Sequence, residues 1–280
     1  MTIKAGVIGW PVAHSLSPVL HGYWLKQYGI DGAYEKIAAA PRDFAAAIAR
    51  LRQEGYAGVN VTVPHKEAAF ALAGSNDAVA QSAGATNLLV FHDGAVAGRN
   101  TDAYGLMASL KSEIGTLDGK TVVLLGAGGA ARGALLSLDQ LGASVIHLLA
   151  RDRARAGALA AALSPHMKTK VLPGTLADWN AVARAAALIV NSTSAGMGDN
   201  APLGLDLSAL PPGAAVCDIV YHPLETALLR DAKARGHRTI DGLGMLMHQA
   251  VPSFEAFFGT RPEVTPGLRA ALVRELENRG

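Results

Sequence analysis

A glycine-rich turn between an apolar strand and an apolar helix is the feature of this sequence with the clearest chemistry. The apolar run Val122–Leu125 ends at once in Gly126-Ala127-Gly128-Gly129-Ala130-Ala131, and alanines and leucines then recur at the spacing of one helix face. Gly126 permits the tight turn, Gly128 permits close approach of a phosphate, and the small Ala131 lets the helix lie against the strand. Because the first N–H groups of a helix are free, we expect this turn to bind the pyrophosphate of a dinucleotide.

Basic residues follow the next predicted strand, Ser144–Leu149, and bear on which dinucleotide binds. Arg151 and Arg155 flank the point where the ribose 2′ position is expected, and two guanidiniums favour a 2′-phosphate, hence NADP. Asp152 lies between them and could instead accept the 2′-OH of NAD. The sequence therefore favours NADP and leaves NAD, or arginines that are merely exposed, as alternatives.

A lysine and an aspartate follow predicted strands earlier in the chain. The stretch Gly58–Lys66 alternates, with valines up to Val63 on one face and Asn60 and Thr62 on the other. Pro64 ends this strand and leaves Lys66 at its carboxyl end, where open α/β sheets bind ligands. Asp102 begins a helix after a second polar stretch, and from its position alone it is predicted as the N-cap of that helix.

The segment after the first predicted strand carries two serines at a helix start. Ser17 and Pro18 are predicted as N-cap and first helical residue. With Ser15, these hydroxyls could also form a carboxylate-binding site at the helix N-terminus.

Alternating strands and helices predict an α/β protein of two domains. The alternation is interrupted at a hairpin signal, Asp93-Gly94, and restarts at the glycine turn. We expect an N-terminal α/β substrate domain, residues 1–101 plus 242–280, and a Rossmann-type dinucleotide-binding domain with a parallel sheet, residues 102–241.

Composition excludes several classes of protein. The chain has 280 residues, half of them hydrophobic, and a formal net charge of +2 without basic runs, so no nucleic-acid partner is expected. No apolar run approaches the roughly 20 residues needed to span a bilayer, and the lone Cys217 fits a reducing compartment, so we expect a cytoplasmic protein. No metal site is expected. His14, His65 and His222 are predicted to line the ligand-binding cleft.

Eight motifs, in order and nearly end to end, resemble the shikimate dehydrogenase family. They are HSLSP (14–18), NVTVPHK (60–66), AGATN (83–87), NTD (100–102), GAGGAA (126–131), NSTSAGM (191–197), DIVYHPLETALL (218–229) and DGLGMLMHQA (241–250). The resemblance implies NADP-linked reduction of 3-dehydroshikimate to shikimate, in aromatic amino-acid biosynthesis, by a monomer or homodimer.

The resemblance also implies roles for individual residues. It makes Lys66 and Asp102 the catalytic pair, with Asn60 positioning the lysine. The substrate carboxylate would be held by Ser15, Ser17 and Tyr221, and the ring hydroxyls by Thr62, Asn87, Asp102 and Gln249. The cofactor would be bound by Gly126, Ala127, Gly128, Gly129, Ala130, Arg151 and Arg155, with Met197, Val220 and Gly242 near the nicotinamide.

Departures from the family pattern leave two alternatives. The usual Asn-Arg-Thr of NADP-binding members is Ala150-Arg151-Asp152 here, which would suit a quinate/shikimate dehydrogenase that uses NAD. Quinate-using relatives tend to carry Thr where this chain has Ser17, which favours shikimate. A catalytically inactive relative that senses its ligand is the second alternative, and retention of Lys66 and Asp102 argues against it.

Overall fold

The computed structural model describes residues 2–92 and 94–279, and the chain divides into two compact units. The first unit contains the residues up to Asp102 and those from Leu246 onward, and the second is Ala103–Met245. The sequence placed the divisions after residues 101 and 241, and the structural divisions fall within two helices that begin at Asp102 and Gly242. The predicted turn residue Asp93 lies outside the described residues.

The first unit is built on a six-stranded mixed sheet. Its strands are β1 (Ile3–Gly9), β2 (Gly32–Ala38), β3 (Tyr56–Val61), β4 (Ser75–Asn76), β5 (Leu88–His92) and β6 (Ala95–Arg99). Their order is β2-β1-β3-β5-β6-β4, in which β1 is parallel to β2 and β3, and β5 is antiparallel to β3 and β6. Its helices are α1 (Ser17–Tyr28), α2 (Phe44–Gln53), α3 (Lys66–Leu72), α4 (Ala78–Ala83), α11 (Pro266–Glu277) and most of α10 (Gly242–Phe258).

The apolar core of this unit lies between the sheet and α2. One cluster packs Ile8 and Val59 of the sheet against Ile48 and Leu51 of α2, all almost inaccessible to solvent. The predicted strand around the NVTVPHK motif ends earlier than the valine alternation indicated. Strand β3 stops at Val61, and Val63 is 67% exposed, so its prediction as a strand-face residue was wrong.

The second unit is an all-parallel sheet with the strand order expected of a Rossmann domain. Its strands are β7 (Thr121–Leu125), β8 (Val145–Ala150), β9 (Lys170–Thr175), β10 (Ala186–Asn191), β11 (Ala215–Asp218) and β12 (Arg238–Ile240), in the order β12-β11-β10-β7-β8-β9. Its helices are α5 (Asp102–Ile114), α6 (Gly129–Gln140), α7 (Arg153–Leu163), α8 (Trp179–Val182) and α9 (Ala227–Ala234).

The order of strands reverses between β7 and β10, which defines a topological switch point. Ligands of open α/β sheets bind at the carboxyl ends of the strands beside such a point. The glycine turn follows β7 directly. The predicted α/β fold with a Rossmann-type domain is therefore confirmed. Across the described ranges, every helix is too short or too polar to cross a membrane.

Candidate active site

Lys66 and Asp102 form an ion pair in the first unit. Lys66 is the first residue of α3, and Asp102 is the first residue of α5, so each side chain leaves the chain just after a polar loop. The Lys66 Nζ lies 2.5 Å from Asp102 Oδ2, and the two side chains are 17% and 7% exposed. The pair is thus shielded from water on most sides while the ammonium keeps partial access to solvent.

The side chains of Asn87 and Asn100 hold Asp102 in place, the first at its carboxylate and the second at its backbone N–H. Asn87 Nδ2 donates to Asp102 Oδ1 at 2.9 Å, and Asn87 Oδ1 accepts from the backbone N–H of Thr101 at 2.7 Å. Asn100 Oδ1 accepts from the N–H of Asp102 at 3.0 Å. Since both Nδ2 and Oδ1 of Asn87 are hydrogen-bonded, the orientation of its amide is fixed. The orientation of the Asp102 carboxylate is fixed with it.

Gln249 of α10 reaches the same cluster. Its Oε1 accepts from Thr101 Oγ1 at 3.4 Å, and its Nε2 donates to the carbonyl of Leu246 at 3.1 Å. Thr62 lies just after β3, where its methyl group packs over Gly9 so closely that a Cβ there would lie 2.4 Å away. The structure therefore brings four of the predicted residues together, and places Thr62 at the adjacent ends of β1 and β3.

The two serines lie at the start of α1, where the helix begins one residue earlier than predicted. The N-cap of α1 is Leu16, and Ser17 is the first helical residue, so the prediction of Ser17 as N-cap was wrong. The N–H of Ser17 donates instead to Ser15 Oγ at 3.3 Å. Ser15 Oγ therefore accepts from one of the free backbone N–H groups at this helix start.

A buried polar network that the sequence analysis did not identify connects Ser17 with Asn87. Burial raises the pKa of Tyr34 well above its ordinary value, and a hydrogen bond with the Ser17 side chain lowers it in part. Tyr34 Oη donates to Asn60 Oδ1 at 2.7 Å, and Asn60 Nδ2 donates to Ser253 Oγ at 2.7 Å and to the Asn87 carbonyl at 3.2 Å. The amide of Asn60 is therefore committed to Tyr34, Ser253 and Asn87.

The histidine that precedes Lys66 does not line a cleft. His65 is buried, its ring stacks on Phe44 with centroids 4.7 Å apart, and Nε2 lies 2.8 Å from the carbonyl of Ala39. The prediction of His65 as a cleft residue was therefore wrong, because its ring turns into the apolar core. Among the residues that the structure describes, no group of three or more His, Cys, Asp or Glu side chains could hold a metal ion.

In the second unit, the glycine turn has the geometry that a pyrophosphate requires. Gly126 has a φ of +107°, which favours glycine, and a Cβ there would lie 2.8 Å from Thr193 Cγ2. At Gly128 and Gly129 an added Cβ would meet only open space, and Gly128 caps α6 without a side-chain hydrogen bond. Ala131 is fully buried against the sheet. The open N-terminus of α6 therefore fits an anionic phosphate.

The basic residues after β8 lie beside this turn. Arg155 Nε donates to the carbonyl of Ala127 at 3.2 Å, and Arg151 is exposed at the end of the strand. Asp152 is the N-cap of α7, because its Oδ1 accepts from the N–H groups of Ala154 at 2.8 Å and Arg155 at 3.3 Å. One carboxylate oxygen of Asp152 therefore accepts hydrogen bonds from the first turn of α7. Asp152 thus has a structural role as an N-cap.

The residues predicted near a nicotinamide lie on loops after β10 and β11 and at the start of α10. A Cβ at Gly242 would lie 2.2 Å from the Ile219 carbonyl oxygen and 2.8 Å from that of Val220, so only glycine fits there. Met197 is 47% exposed, and the next residue, Gly198, donates its N–H to the His222 carbonyl at 3.1 Å. Tyr221 follows β11 in the same unit.

Two compact α/β units, one with a Rossmann sheet and a glycine turn, define the class of two-domain dinucleotide-binding proteins. Family models match both parts of the chain: the shikimate dehydrogenase substrate binding domain over residues 7–89, and shikimate / quinate 5-dehydrogenase over residues 108–197. A protein of Mesorhizobium japonicum named shikimate dehydrogenase (NADP(+)) is 49% identical, over 98% of this chain and 97% of that protein. The chain belongs to the shikimate dehydrogenase family.

Solved structures show the same fold over nearly the whole chain. Shikimate 5-dehydrogenase of Thermus thermophilus, solved in complex with NADP(H) and shikimate, is 35% identical with a TM-score of 0.86, and 98% of this chain and 99% of that chain are covered. Quinate dehydrogenase of Corynebacterium glutamicum, solved in complex with NAD, is 29% identical with a TM-score of 0.90 and the same coverage. The resemblance stated from the motifs is thus confirmed.

Proposed function

We propose that this chain is an NADP-dependent shikimate dehydrogenase, which reversibly reduces 3-dehydroshikimate to shikimate in aromatic amino-acid biosynthesis. The observation that carries the proposal is the Lys66–Asp102 pair, 2.5 Å apart and fixed by Asn87, in a chain that is 49% identical to a named shikimate dehydrogenase (NADP(+)). The pair supplies the proton chemistry that carbonyl reduction requires.

Lys66 is the group that moves the proton. When a carbonyl is reduced, its oxygen gains negative charge, and an ammonium held beside it donates a proton to that oxygen. In the reverse direction the neutral amine accepts the proton of the alcohol. NADPH, when bound, supplies the hydride that the carbonyl carbon receives. The protein therefore has to orient the ring and transfer one proton.

Asp102 and Asn87 position the lysine. One carboxylate oxygen accepts from Lys66 and the other from Asn87, so the ammonium is held at one point. Polar groups of Thr62, Asn87, Asp102 and Gln249 suit the ring hydroxyls of a polyhydroxylated acid. The hydroxyls of Ser15 and Ser17 suit its carboxylate, and the part assigned to Tyr221 stays a prediction from the family resemblance.

The second unit would hold the cofactor. The N–H groups at the start of α6 and the open space at Gly128 and Gly129 suit the pyrophosphate, and Arg155 beside Ala127 suits a 2′-phosphate. Arg151 at the strand end adds a second positive charge. Met197, Val220 and Gly242 are proposed to contact the nicotinamide. Cytoplasmic location and a monomeric or homodimeric state stay predictions.

Turnover of the purified protein tests the proposal. Shikimate and quinate are each combined with NADP and NAD, and formation of reduced cofactor is followed by absorbance, with the product of shikimate oxidation identified as 3-dehydroshikimate. We expect the highest kcat/KM with shikimate and NADP. A preference for quinate or NAD would favour the alternative of a quinate/shikimate dehydrogenase that uses NAD. Absence of turnover in all four combinations would favour a ligand-sensing relative.

A further inference from the structure

Three buried polar residues connect the ends of two adjacent strands in the second unit. Asn191 and Asp218 are the last residues of β10 and β11, they are partners in the parallel register, and both are fully buried. Asn191 Nδ2 donates to Asp218 Oδ1 at 2.9 Å, and Thr226 Oγ1 donates to Asp218 Oδ2 at 2.8 Å. We name Asn191, Asp218 and Thr226 the strand-end network.

Each member of the strand-end network also holds a segment of backbone. Asn191 Oδ1 accepts from the N–H of Thr193 at 3.0 Å, and Asp218 Oδ1 accepts from the N–H of Val220 at 3.1 Å. Thr226 caps α9 by accepting from the N–H of Leu229 at 3.3 Å. The network therefore fixes the first turn of the loop after β10, the first turn of the loop after β11, and the helix that ends the second loop.

The carboxylate is the group that unites these contacts. Three donors converge on Asp218, namely an amide N–H, a backbone N–H and a hydroxyl, and only an acceptor with two oxygens can satisfy all three. Burial raises the pKa of Asp218, and the hydrogen bonds from these three donors offset part of that rise. A buried carboxylate is costly unless it is fully hydrogen-bonded, and here its partners belong to both loops.

We propose that the strand-end network positions residues for hydride transfer. It holds the two loops that carry Met197 and Val220 in the positions that contact with the nicotinamide requires. This inference rests on the proposed function. Asn191, Asp218 and Thr226 act indirectly, as positioning residues. Their side chains are hydrogen-bonded to one another and to backbone N–H groups. Val220 is the direct link, because its N–H is bound to Asp218 and its carbonyl lies against Gly242.

Thr226→Val is the sharpest test, because it removes one hydroxyl from the network at nearly constant shape. Thr226→Ser keeps the hydroxyl and serves as the conservative rescue. Thr265→Val is a matched control, since Thr265 is likewise the N-cap of a helix, accepting from Leu268 N–H at 3.2 Å, but lies in the first unit. The measurements are kcat and the KM values for NADP and shikimate, thermal unfolding, and NADP binding by calorimetry.

For Thr226→Val we expect about a tenfold to hundredfold loss of kcat/KM for NADP, because small displacements of groups that orient reactants are costly, with the KM for shikimate unchanged. Thr226→Ser should stay near wild type, and Thr265→Val should lower the Tm without changing the kinetic constants of the folded protein. Wild-type constants in folded Thr226→Val, or an equal rise of both KM values, would overturn the inference.

Calorimetry separates this inference from the proposed function. If the wild-type protein binds NADP but turns over no substrate, the proposed function fails, and the strand-end network is judged by NADP affinity alone. About tenfold weaker NADP binding by Thr226→Val would then support the positioning role, and unchanged affinity would overturn it. A wild-type protein that binds no NADP would overturn both.

Discussion

Lys66 Nζ lies 2.5 Å from Asp102 Oδ2, and the other carboxylate oxygen of Asp102 is bound by Asn87 at 2.9 Å. The two oxygens of one carboxylate therefore face two donors of different kinds. One donor carries the charge proposed for proton transfer, and the other comes from a side chain that is locked by the backbone of Thr101. Because only a carboxylate offers an oxygen acceptor to each of these two donors, we expect an acidic residue to be needed at the start of α5.

Replacing Asp102 by Asn tests that requirement. An amide presents one oxygen and one NH2 group, so one of the two donors, Lys66 or Asn87, must lose its acceptor. We expect kcat to fall by about a hundredfold, within the range that a positioned acid–base system contributes. We also expect the free energy of unfolding to fall by about 1–3 kcal/mol because a buried donor is left unpaired. Steady-state kinetics and urea unfolding measure the two effects.

Asp77→Asn is the matched control for Asp102→Asn. Asp77 also lies at a helix start, where its carboxylate caps α4 by accepting from the N–H of Ala80 at 2.7 Å, and Asn is an equally good cap. Unchanged kcat is expected for this variant. Equal kcat values for Asp102→Asn and the wild type would show that the carboxylate is dispensable.

Arg155 is expected to select NADP over NAD. Its guanidinium is placed beside the glycine turn by the hydrogen bond from Nε to the Ala127 carbonyl. For Arg155→Gln we expect the KM for NADP to rise by about tenfold or more, as expected for loss of a hydrogen bond to a charged group, while the KM for NAD changes little. The KM values for NADP and for NAD, measured at saturating shikimate, test this prediction.

Two neighbouring substitutions sharpen the Arg155 test. Arg153→Gln removes an exposed charge from the same helical turn and should leave the NADP:NAD ratio of kcat/KM near that of the wild type. Asp152→Ser keeps an N-cap for α7 but removes the negative charge, so this ratio should rise. A lower ratio for Asp152→Ser, or parallel losses with both cofactors for Arg155→Gln, would contradict the assignment.

His21 makes the first unit sensitive to acid. Its ring stacks on Tyr34 with centroids 3.8 Å apart, and within the described part of the chain neither ring nitrogen has a hydrogen-bond partner. Burial lowers the pKa of His21 from its ordinary 6.5 to about 3. The unfolded chain therefore takes up this proton below about pH 6.5 while the folded protein does not, so folding stability is lost as the pH falls from about 6.5 toward 3, at about 1.4 kcal/mol per pH unit.

His21→Phe keeps the stack on Tyr34 and removes the titratable group. We compare the free energies of unfolding of this variant and the wild type by urea titrations. The difference, variant minus wild type, should increase steadily as the pH falls from 6.5 to 4. His166→Phe alters an exposed histidine and should show a constant difference over the same range. Parallel pH profiles for His21→Phe and the wild type would rule out the effect.

The loop that carries Ser15 is held by two basic side chains. Arg279 Nη1 donates to the carbonyl of His14 at 3.0 Å, and Lys36 Nζ donates to the carbonyl of Ala13. For Arg279→Gln we expect the KM for shikimate to rise about two- to fivefold with kcat unchanged, since partly exposed contacts of this kind are worth less than about 1 kcal/mol. Arg274→Gln, which alters an exposed arginine of α11 shortly before Arg279, is the control. A change in kcat alone would contradict a role in substrate binding.

Local patterns predicted the scaffold well. The glycine turn between β7 and α6, the parallel second sheet and the existence of β1 and β3 follow from apolar periodicity and glycine placement, which depend on neighbours in sequence. The end of β3 was predicted too late, because the valine alternation continues beyond the strand. Lys66 and Asp102 were predicted as a pair only through the family resemblance. Their contact depends on how β3 and β6 align in the sheet, because 36 residues separate them.

The supporting contacts could not be read from the sequence. Tyr34, Asn60 and Ser253 meet only after α10 packs on the sheet, so no local spacing reveals their bonds. The one available signal for Asn60 was its place on the polar face of an otherwise apolar strand. His65 looked like a cleft residue because its neighbour Lys66 is one, but the start of α3 turns its ring toward Phe44.

Lys66→Met is the most direct test of the central claim that Lys66 transfers the proton in shikimate oxidation. We predict that this variant binds shikimate within a fewfold of the wild-type Kd, by calorimetry, while kcat with NADP falls by about 10² to 10⁴. Lys120→Met, which alters an exposed lysine, should keep wild-type kcat. Turnover by Lys66→Met at the wild-type rate would show that Lys66 does not transfer the proton.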